Sequence, residues 1–255
     1  MSFQKLITAN GVSWGYGART VVNGADFSLS SGDLLAVVGH NGAGKSSLLK
    51  LLLGLLPSRS GALRWHEKYR FGDIAYLGQR QDLDRTFPMK AYDLVASGGW
   101  NLSVFDVGGP AADTLHRRTM AALARVGLID AMALPLHALS GGQLQRALFG
   151  RAVVQNASIV ILDEPFAGVD QKTEGDLLAL IMEWTREGKA VVLVSHDLSS
   201  VLDCATSVLL LGNGRARFGP PDTVLTNENL ADQAYMSPGE AEWLAGLFSG
   251  SARNV

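Results

Sequence analysis

Residues 39–46 read Gly39-His40-Asn41-Gly42-Ala43-Gly44-Lys45-Ser46. They match the pattern G-x-x-x-x-G-K-[ST], a loop whose backbone N–H groups surround phosphate oxygens. The loop needs glycine because its backbone must turn sharply and approach the phosphate more closely than a Cβ atom allows. In this pattern the lysine reaches the β- and γ-phosphates and the next hydroxyl binds magnesium. Residues 39–46, called the phosphate loop below, therefore predict a nucleoside triphosphate site.

The sequence on both sides of the phosphate loop supports this interpretation. Residues 34–38 form a continuous apolar run, which is typical of a buried parallel strand, and residues 47–53 are rich in helix formers. A strand before the loop and a helix after it are required, because the helix N-terminus adds free N–H groups and its dipole to the anion site. A glycine-rich turn without a ligand is the alternative, and this context disfavours it.

The composition is that of a globular protein. The chain has 255 residues and is 47% hydrophobic, enough for one large α/β domain or two small ones. Lys and Arg total 22 against 24 Asp and Glu, so no overall positive field favours nucleic acid. The only cysteine, Cys204, cannot form an internal disulfide, and residues 1–20 lack a signal-peptide layout, which predicts the cytosol. The strongest apolar run, residues 48–56, is too short to cross a bilayer, so a membrane link would come through a partner.

The N-terminal residues predict an antiparallel β layer. Short strand-like runs cover residues 3–7, 12–14 and 26–29, and the turn formers Asn10-Gly11 and Asn23-Gly24 separate them. We therefore expect three short strands with turns between them.

Tyr16 lies between two glycines, 23 residues before Gly39. A flexible turn here would allow its ring to stack on an adenine base. An ordinary half-buried tyrosine is an equally good interpretation of this position alone.

The middle of the chain changes character after Gln79, which directly follows a predicted strand and by itself reads as a polar strand end. Residues 86–89 form an apolar turn, and Leu115, Ala122 and Val126 then recur at helical spacing. We expect a helical subdomain inserted into the α/β core.

The segment Leu139-Ser140-Gly141-Gly142-Gln143, called the signature segment below, precedes another helix. Ser140 lies where an N-cap belongs, and the two glycines expose backbone N–H groups that an anion can use. A capped helix without a ligand is the alternative.

Two carboxylates end the next apolar strand. Residues 159–162 are apolar and lead into Asp163 and Glu164. One carboxylate at such a strand end can hold magnesium, and its neighbour can act as general base toward an attacking water. Asp170 can cap the helix that follows.

Another apolar strand, residues 190–194, ends at His196. Such a histidine either faces the same sheet edge as the phosphate loop or makes a structural hydrogen bond. The chain then continues with a predicted hairpin, residues 207–211 and 215–218, and a polar tail without a motif.

Taken in this order, these motifs resemble the ATP-binding subunit of ABC transporters over roughly residues 3–230. The resemblance implies a P-loop NTPase core of class α/β with a mainly parallel sheet, an N-terminal antiparallel β layer and an inserted helical subdomain. It divides the chain into one cassette, residues 1–230, and a tail, residues 231–255. Within the cassette, residues 1–80 and 150–230 form the nucleotide-binding core and residues 81–149 form the helical subdomain with the signature segment.

The resemblance also implies ATP and Mg²⁺ as cofactors. The nucleotide-binding residues that it implies are Tyr16, Gly39, Asn41, Gly42, Ala43, Gly44, Lys45, Ser46, Ser47, Ser140, Gly141, Gly142 and Gln143. Tyr16 then stacks on adenine, and Ser46, Gln79 and Asp163 surround magnesium. The catalytic residues that it implies are Glu164, which orients or deprotonates water, His196, which contacts the γ-phosphate, and Lys45 and Gln79.

Partners follow from the same resemblance. In that family the signature segment contacts the γ-phosphate bound by a second subunit, which implies a homodimer with two ATP molecules between its chains. The family also implies a transmembrane permease, indirectly a secreted substrate-binding protein, no nucleic acid, and a peripheral location at the cytoplasmic face of the membrane.

A narrower resemblance rests on the segments Gln79-Arg80-Gln81, Asp84, Phe87-Pro88 and residues 164–170. These look like the ATPases of bacterial zinc and manganese importers. Import of another solute, a soluble regulatory ABC-type ATPase and a module that no longer hydrolyses ATP are the alternatives. Two departures are His40 and Gly78, which stand where the family often has proline, and we expect both to tune the site rather than abolish it.

Overall fold

The computed structural model describes residues 4–66, 73–78, 83–99, 110–195 and 204–233. The chain divides into two compact units, one made of residues 1–71 and 190–255 and the other of residues 72–189. The strands are β1 (Lys5–Tyr16), β2 (Arg19–Ser30), β3 (Leu34–Gly39), β4 (Ser60–Trp65), β5 (Ile74–Leu77), β6 (Ile159–Asp163), β7 (Ala190–Val194), β8 (Ser207–Gly212) and β9 (Arg215–Gly219). The helices are α1 (Lys45–Leu52), α2 (Ala91–Ala96), α3 (Pro110–Arg125), α4 (Gly141–Gln155), α5 (Gln171–Arg186), α6 (Pro221–Val224) and α7 (Asn227–Asp232).

The N-terminal antiparallel layer of the first unit consists of β2, β1 and β4, with β1 paired to both neighbours. The expectation of short strands separated by turns was wrong, because β1 and β2 each run for 12 residues. Gly11 and Gly24 have φ angles of 56° and 65° and lie at irregularities in the ladder rather than at turns. Side chains bridge these irregularities: Asp26 accepts from the Gly11 N–H at 2.7 Å, and Ser13 accepts from the Gly24 N–H at 3.0 Å. The two strands therefore bend without ending.

The second layer of the first unit places β3 in parallel pairing with β7 and β8. Every residue of β3 and β7 is buried, as the continuous apolar runs predicted. The predicted hairpin is confirmed as β8 and β9. The polar tail contains α6 and α7, which were not predicted, and Val224 and Leu230 pack there against the core residues of β3 and β8.

In the second unit β5 and β6 pair in parallel. The stretch of chain that connects these two strands contains α2, α3 and α4. The predicted helical spacing is confirmed in α3, where Ala122 is fully buried, and Val126 is buried just beyond the helix end. Phe149 of α4 and Trp184 of α5 stack with ring centroids 5.7 Å apart and an angle of 13° between their planes. This aromatic pair joins α4 to α5.

The described helices include none that is both long and apolar enough to cross a membrane.

Replacement of Trp184 tests the core of the second unit. The side chain is 1% exposed, so Trp184→Ala should lower the free energy of unfolding by about 3–5 kcal/mol through lost burial and an unfilled cavity. Leu55 is 72% exposed, and Leu55→Ala should change the free energy of unfolding by less than about 0.5 kcal/mol. Urea denaturation followed by circular dichroism measures both, and equal midpoints for the two variants would contradict the packing described here.

Candidate functional site

The phosphate loop follows β3 and passes directly into α1. Gly42 and Gly44 adopt φ angles of 85° and 107°, in the region that favours glycine. A Cβ atom on Gly44 would also lie 2.8 Å from Cγ1 of Val21, closer than side chains tolerate. The loop backbone thus has the sharp turn that its glycines predicted, and Gly44 also packs closely against Val21.

Gly39 fixes the start of the loop against the neighbouring strand. A Cβ atom here would lie 2.5 Å from the backbone oxygen of Leu211 in β8 and 3.0 Å from Cβ of Ala43. Glycine is therefore needed at position 39 for space, although its φ angle is ordinary.

The Lys45 side chain folds back across the loop and is only 7% exposed. Its Nζ atom donates to the backbone oxygens of Gly39 and His40, the latter at 3.1 Å. These bonds hold a buried ammonium group beside the loop, where it can attract a phosphate.

The N-cap residue of α1 makes no side-chain capping bond, and the first turn of this helix contains no acidic residue. The N-cap position belongs to Gly44, which has no side chain to donate or accept. The N-terminus of this helix carries backbone N–H groups and the positive end of the helix dipole, both of which attract an anion. Ser46 is exposed at this end of the helix, and Ser47 is buried.

Tyr16 is the last residue of β1, not part of a flexible turn, and its side chain is 47% exposed. The Nζ atom of Lys50, on α1, lies 5.6 Å from the centre of its ring. The Ser47 hydroxyl and the Lys50 ammonium hold the pKa of the Tyr16 phenol below its ordinary value. The first unit thus brings Tyr16 together with the helix that follows the phosphate loop.

The signature segment in the second unit begins α4 with a reciprocal capping box. The Ser140 hydroxyl oxygen accepts from the Gln143 N–H at 3.2 Å, and the Ser140 N–H donates to Oε1 of Gln143 at 2.9 Å. This arrangement gives a hydrogen-bond acceptor to two backbone N–H groups, those of Ser140 and Gln143, and it fixes the conformation of the chain at the start of the helix. Ser140 therefore occupies the N-cap position that the sequence predicted.

Asp170 lies beside the signature segment. It caps α5, because its two carboxylate oxygens accept from the N–H and the hydroxyl of Thr173 at 2.9 and 2.8 Å. A Cβ atom on Gly142 would lie 3.1 Å from Oγ1 of Thr173 and 3.3 Å from Oδ2 of Asp170. The N-termini of α4 and α5 thus meet at a glycine, which permits this approach.

Arg146 joins the same two helices and was missed by the sequence analysis. Its guanidinium donates to Oδ2 of Asp176 at 2.6 Å and to the backbone oxygen of Val126 at 3.2 Å. The partners lie 30 and 20 residues away, so no local pattern could have indicated them.

Asp163 and Glu164 differ in environment. Asp163 is the last residue of β6 and its side chain is 6% exposed. Glu164 follows with a φ angle of 50°, which is uncommon for a residue with a side chain and costs about 1–3 kcal/mol. The chain turns at once, since the Ala167 N–H donates to the Glu164 backbone oxygen at 3.2 Å. The two neighbouring carboxylates thus differ in burial, since Asp163 is buried and Glu164 is partly exposed.

The glycine at position 78 has a structural reason. A Cβ atom here would lie 3.2 Å from the Cε1 and Oη atoms of the Tyr76 ring. The tyrosine ring occupies the space that a proline at position 78 would need.

Two predicted site residues, Gln79 and His196, lie outside the described residues. The other predicted residues are divided between the units. The phosphate loop and Tyr16 belong to the first unit, and the signature segment, Asp163 and Glu164 belong to the second.

The pH dependence of stability tests the Asp170 cap. The bonds from the Thr173 N–H and hydroxyl hold the pKa of the Asp170 carboxyl below its ordinary value. The ionised carboxylate therefore stabilises the fold above the unfolded-state pKa, and this contribution is lost as the pH falls through the folded-state pKa. The stability difference between the wild type and Asp170→Asn should be present at pH 7 and shrink below about pH 4. Urea denaturation across this pH range measures it, with the exposed Asp130→Asn as a charge-matched control; a gap that grows in acid would contradict the assignment.

Comparison with known proteins agrees with this geometry. The family model described as ABC transporter matches residues 22–167. The manganese transport system ATP-binding protein MntB of Bacillus subtilis (strain 168) is 37% identical over 228 residues, which cover 88% of this chain and 90% of the relative. The zinc import ATP-binding protein ZnuC of Yersinia pestis bv. Antiqua (strain Antiqua) is 36% identical, with coverage of 87% and 82%.

A solved structure described as an inward-facing conformation of a metal-chelate type ABC transporter is also similar. It matches with a TM-score of 0.79 at 27% identity, and the match covers 91% of this chain and 90% of that chain. The resemblance seen in the sequence is confirmed by these matches. The chain belongs to the ABC transporter family and is an ABC-type ATPase.

Proposed function

We propose that this ATPase drives a membrane importer for a divalent transition metal, manganese or zinc. The observation that supports this most is the similarity over nearly the whole chain to relatives named for manganese transport and zinc import. Import of another solute is the alternative, since the nucleotide chemistry does not select the cargo. A soluble regulatory role is less well supported, because a relative named for manganese transport matches 88% of this chain.

The proposed binding of ATP begins at the phosphate loop. The uncapped N–H groups of α1 and the ammonium of Lys45 attract the phosphates, and Lys45 exchanges its bonds to Gly39 and His40 for phosphate oxygens. Tyr16 offers an exposed ring for the adenine base, and the Lys50 ammonium lies near that ring.

The proposed magnesium ligands are Ser46, Gln79 and Asp163. Hydroxyl, amide and carboxylate oxygens are the donors that Mg²⁺ accepts, and the buried Asp163 carboxylate fits an ion that offsets its charge. Mg²⁺ bound there would neutralise negative charge on the β- and γ-phosphates.

Hydrolysis needs a base for the attacking water. In the proposal Glu164 accepts the proton from water as the water oxygen bonds to the γ-phosphorus and the bond to the β-phosphate oxygen breaks, giving ADP and phosphate. The φ angle of 50° at Glu164 shows that the backbone leaves the strand conformation of β6 at this residue. His196 contacts the γ-phosphate in the proposal and would help to hold it in line.

The signature segment is proposed to serve the nucleotide of a second copy of the chain, so that two chains enclose two ATP molecules. The capping box keeps Ser140 in one orientation before the partner arrives. Less entropy is then lost when the dimer closes.

The proposed permease contact lies on the second unit, next to the segment that follows Gln79. Phe87 is 55% exposed there, which supports a contact with a partner. It borders a groove of about 430 Å³, whose other apolar lining residues are Leu83, Met89, Leu94 and Leu136. A short apolar helix of a permease would cover this groove. Such docking would hold the chain at the inner face of the membrane, and a secreted binding protein would deliver the metal on the other side.

Replacement of Glu164 tests the chemistry. Glu164→Gln should lower the ATPase rate by about 10²–10⁴-fold, because the amide cannot accept the proton, while ATP affinity stays within about twofold. Lys45→Ala should instead weaken ATP binding itself. Phosphate release and filter binding measure the two effects, and a Glu164→Gln variant as active as the wild type would remove Glu164 from its proposed role.

The cargo is tested in cells that lack this chain. They should grow normally in rich medium and fail when a chelator lowers free transition metals, and added zinc or manganese should restore growth. Uptake of radiolabelled manganese and zinc should return with the wild-type chain but not with Glu164→Gln. If uptake of another solute is lost and metal uptake is unchanged, the metal assignment is wrong while the ATPase assignment stands.

A further inference from the structure

A tight turn at residues 84–87 presents Phe87 to solvent. The Asp84 carboxylate accepts from the Thr86 N–H at 2.8 Å and from the Thr86 hydroxyl at 2.6 Å, and the Phe87 N–H donates to the Asp84 backbone oxygen at 3.3 Å. These bonds hold the pKa of the Asp84 carboxyl below its ordinary value. The turn is therefore a defined structure of its own rather than a loose loop.

Arg85 lies in this turn and binds the backbone that precedes the signature segment. Its guanidinium donates to the backbone oxygen of Leu136 at 3.3 Å and also to that of Leu139. Its Nε atom is buried and has no hydrogen-bond partner among the residues that the structure describes. These contacts bridge 51 and 54 residues of sequence.

The contact with Leu139 is significant because of the peptide unit to which it belongs. The Leu139 carbonyl and the Ser140 N–H are parts of one planar peptide group. Arg85 binds that carbonyl, and Gln143 accepts from that N–H at 2.9 Å. The peptide that orients Ser140 is thus held from both sides, by the 84–87 turn on one and by the capping box on the other.

We propose that Arg85 is a positioning residue that sets the orientation of Ser140 and links it to the turn that carries Phe87. A change in the 84–87 turn when a permease docks then reaches Ser140 through the charge-assisted hydrogen bond to the Leu139 carbonyl, and the bond to Leu136 anchors the same guanidinium. The inference rests on the proposed function, because Ser140 acts there on the ATP of the partner subunit.

Substitutions can separate this role from general stability. Arg85→Met keeps much of the side-chain volume and removes all donors. Arg85→Lys keeps the charge, but its compact ammonium cannot reproduce two bonds from one planar group. Arg117→Met is the matched control, since Arg117 is exposed and its described side-chain bond is to Thr114 within the same helix.

The first experiment measures ATP-driven dimerisation by sedimentation velocity, with each substitution added to Glu164→Gln. Arg85→Met should weaken dimerisation about tenfold, Arg85→Lys should fall between it and the parent, and Arg117→Met should equal the parent. The affinity of the monomer for a fluorescent ATP analogue should remain within about twofold in all of them, since Arg85 and the phosphate loop belong to different units.

Two results would overturn the inference: dimerisation by Arg85→Met equal to the parent, or a loss of monomer ATP affinity as large as the loss of dimerisation. If Arg85→Met fails to fold, the same comparison is made with Arg85→Lys and decides the matter in the same way. Ser140→Arg distinguishes the inference from the proposed function. A Ser140→Arg variant that still dimerises refutes the ATP sandwich, whereas its failure to dimerise beside an unaffected Arg85→Met refutes only the role of Arg85.

The link to Phe87 is tested in the assembled transporter by a double-mutant cycle on permease-stimulated ATPase activity. If the turn transmits the docked state, Phe87→Ala and Arg85→Met should each reduce stimulation, and the double variant should lose little more than the stronger single variant. Additive losses would mean that the two residues act independently and would overturn the link.

Discussion

The uncapped N-terminus of α1 is the constraint on which the first unit depends. Free N–H groups in a protein interior are costly unless a partner satisfies them, and here a glycine stands where a capping side chain would be. Neighbouring elements hold this arrangement in place. Leu211 of β8 approaches Gly39, and Val21 of β2 approaches Gly44, so that both glycines are needed for space. The antiparallel layer and the parallel strands thus contribute to the same anion site from two directions.

Two helices of the second unit begin in the opposite way. Ser140 caps α4 and Asp170 caps α5, so that side chains hold both termini firmly. A serine oxygen that accepts from Gln143 still has its own O–H group to donate. Capping and phosphate binding are therefore compatible in one residue. Arg146 adds a bond between α4 and Asp176 of α5, and this keeps the two capped ends together. The two units thus begin these helices differently, one with a glycine at the N-cap and the other with capping side chains.

The sequence predicted well the features that local patterns determine. Continuous apolar runs identified β3, β6 and β7, because strands that are buried on both faces carry no alternation. The glycines of the phosphate loop indicated its turns, because Gly42 and Gly44 have positive φ angles that residues with a side chain rarely adopt. Ser140 and Asp170 were predicted as caps because a cap acts within three residues along the chain.

The features that the sequence did not predict are formed by contacts between residues far apart along the chain or by helices too short to show a period. Asn10-Gly11 was interpreted as a turn, yet the Gly11 N–H finds a partner in Asp26, and this long-range bond lets the strand continue. Helices α6 and α7 span four and six residues, too short for a periodic pattern to appear. The bonds of Arg85 and Arg146 connect segments 20 to 54 residues apart. An arginine in a sequence reads as a surface charge until the carbonyl or carboxylate that it binds is known.

These long-range arginine bonds suit the work that an ABC subunit performs. Its nucleotide chemistry requires fixed geometry, but its coupling to a permease requires that a change at one surface be felt at another. Apolar packing holds elements together but is not directional. A planar guanidinium that binds two carbonyls fixes both the distance and the orientation of those carbonyls relative to the arginine. Arg85 makes such bonds from the turn that exposes Phe87 to the peptide that orients Ser140. The second unit therefore has a short, charged connection between its apolar groove and its signature segment, built from residues that lie far apart in the sequence.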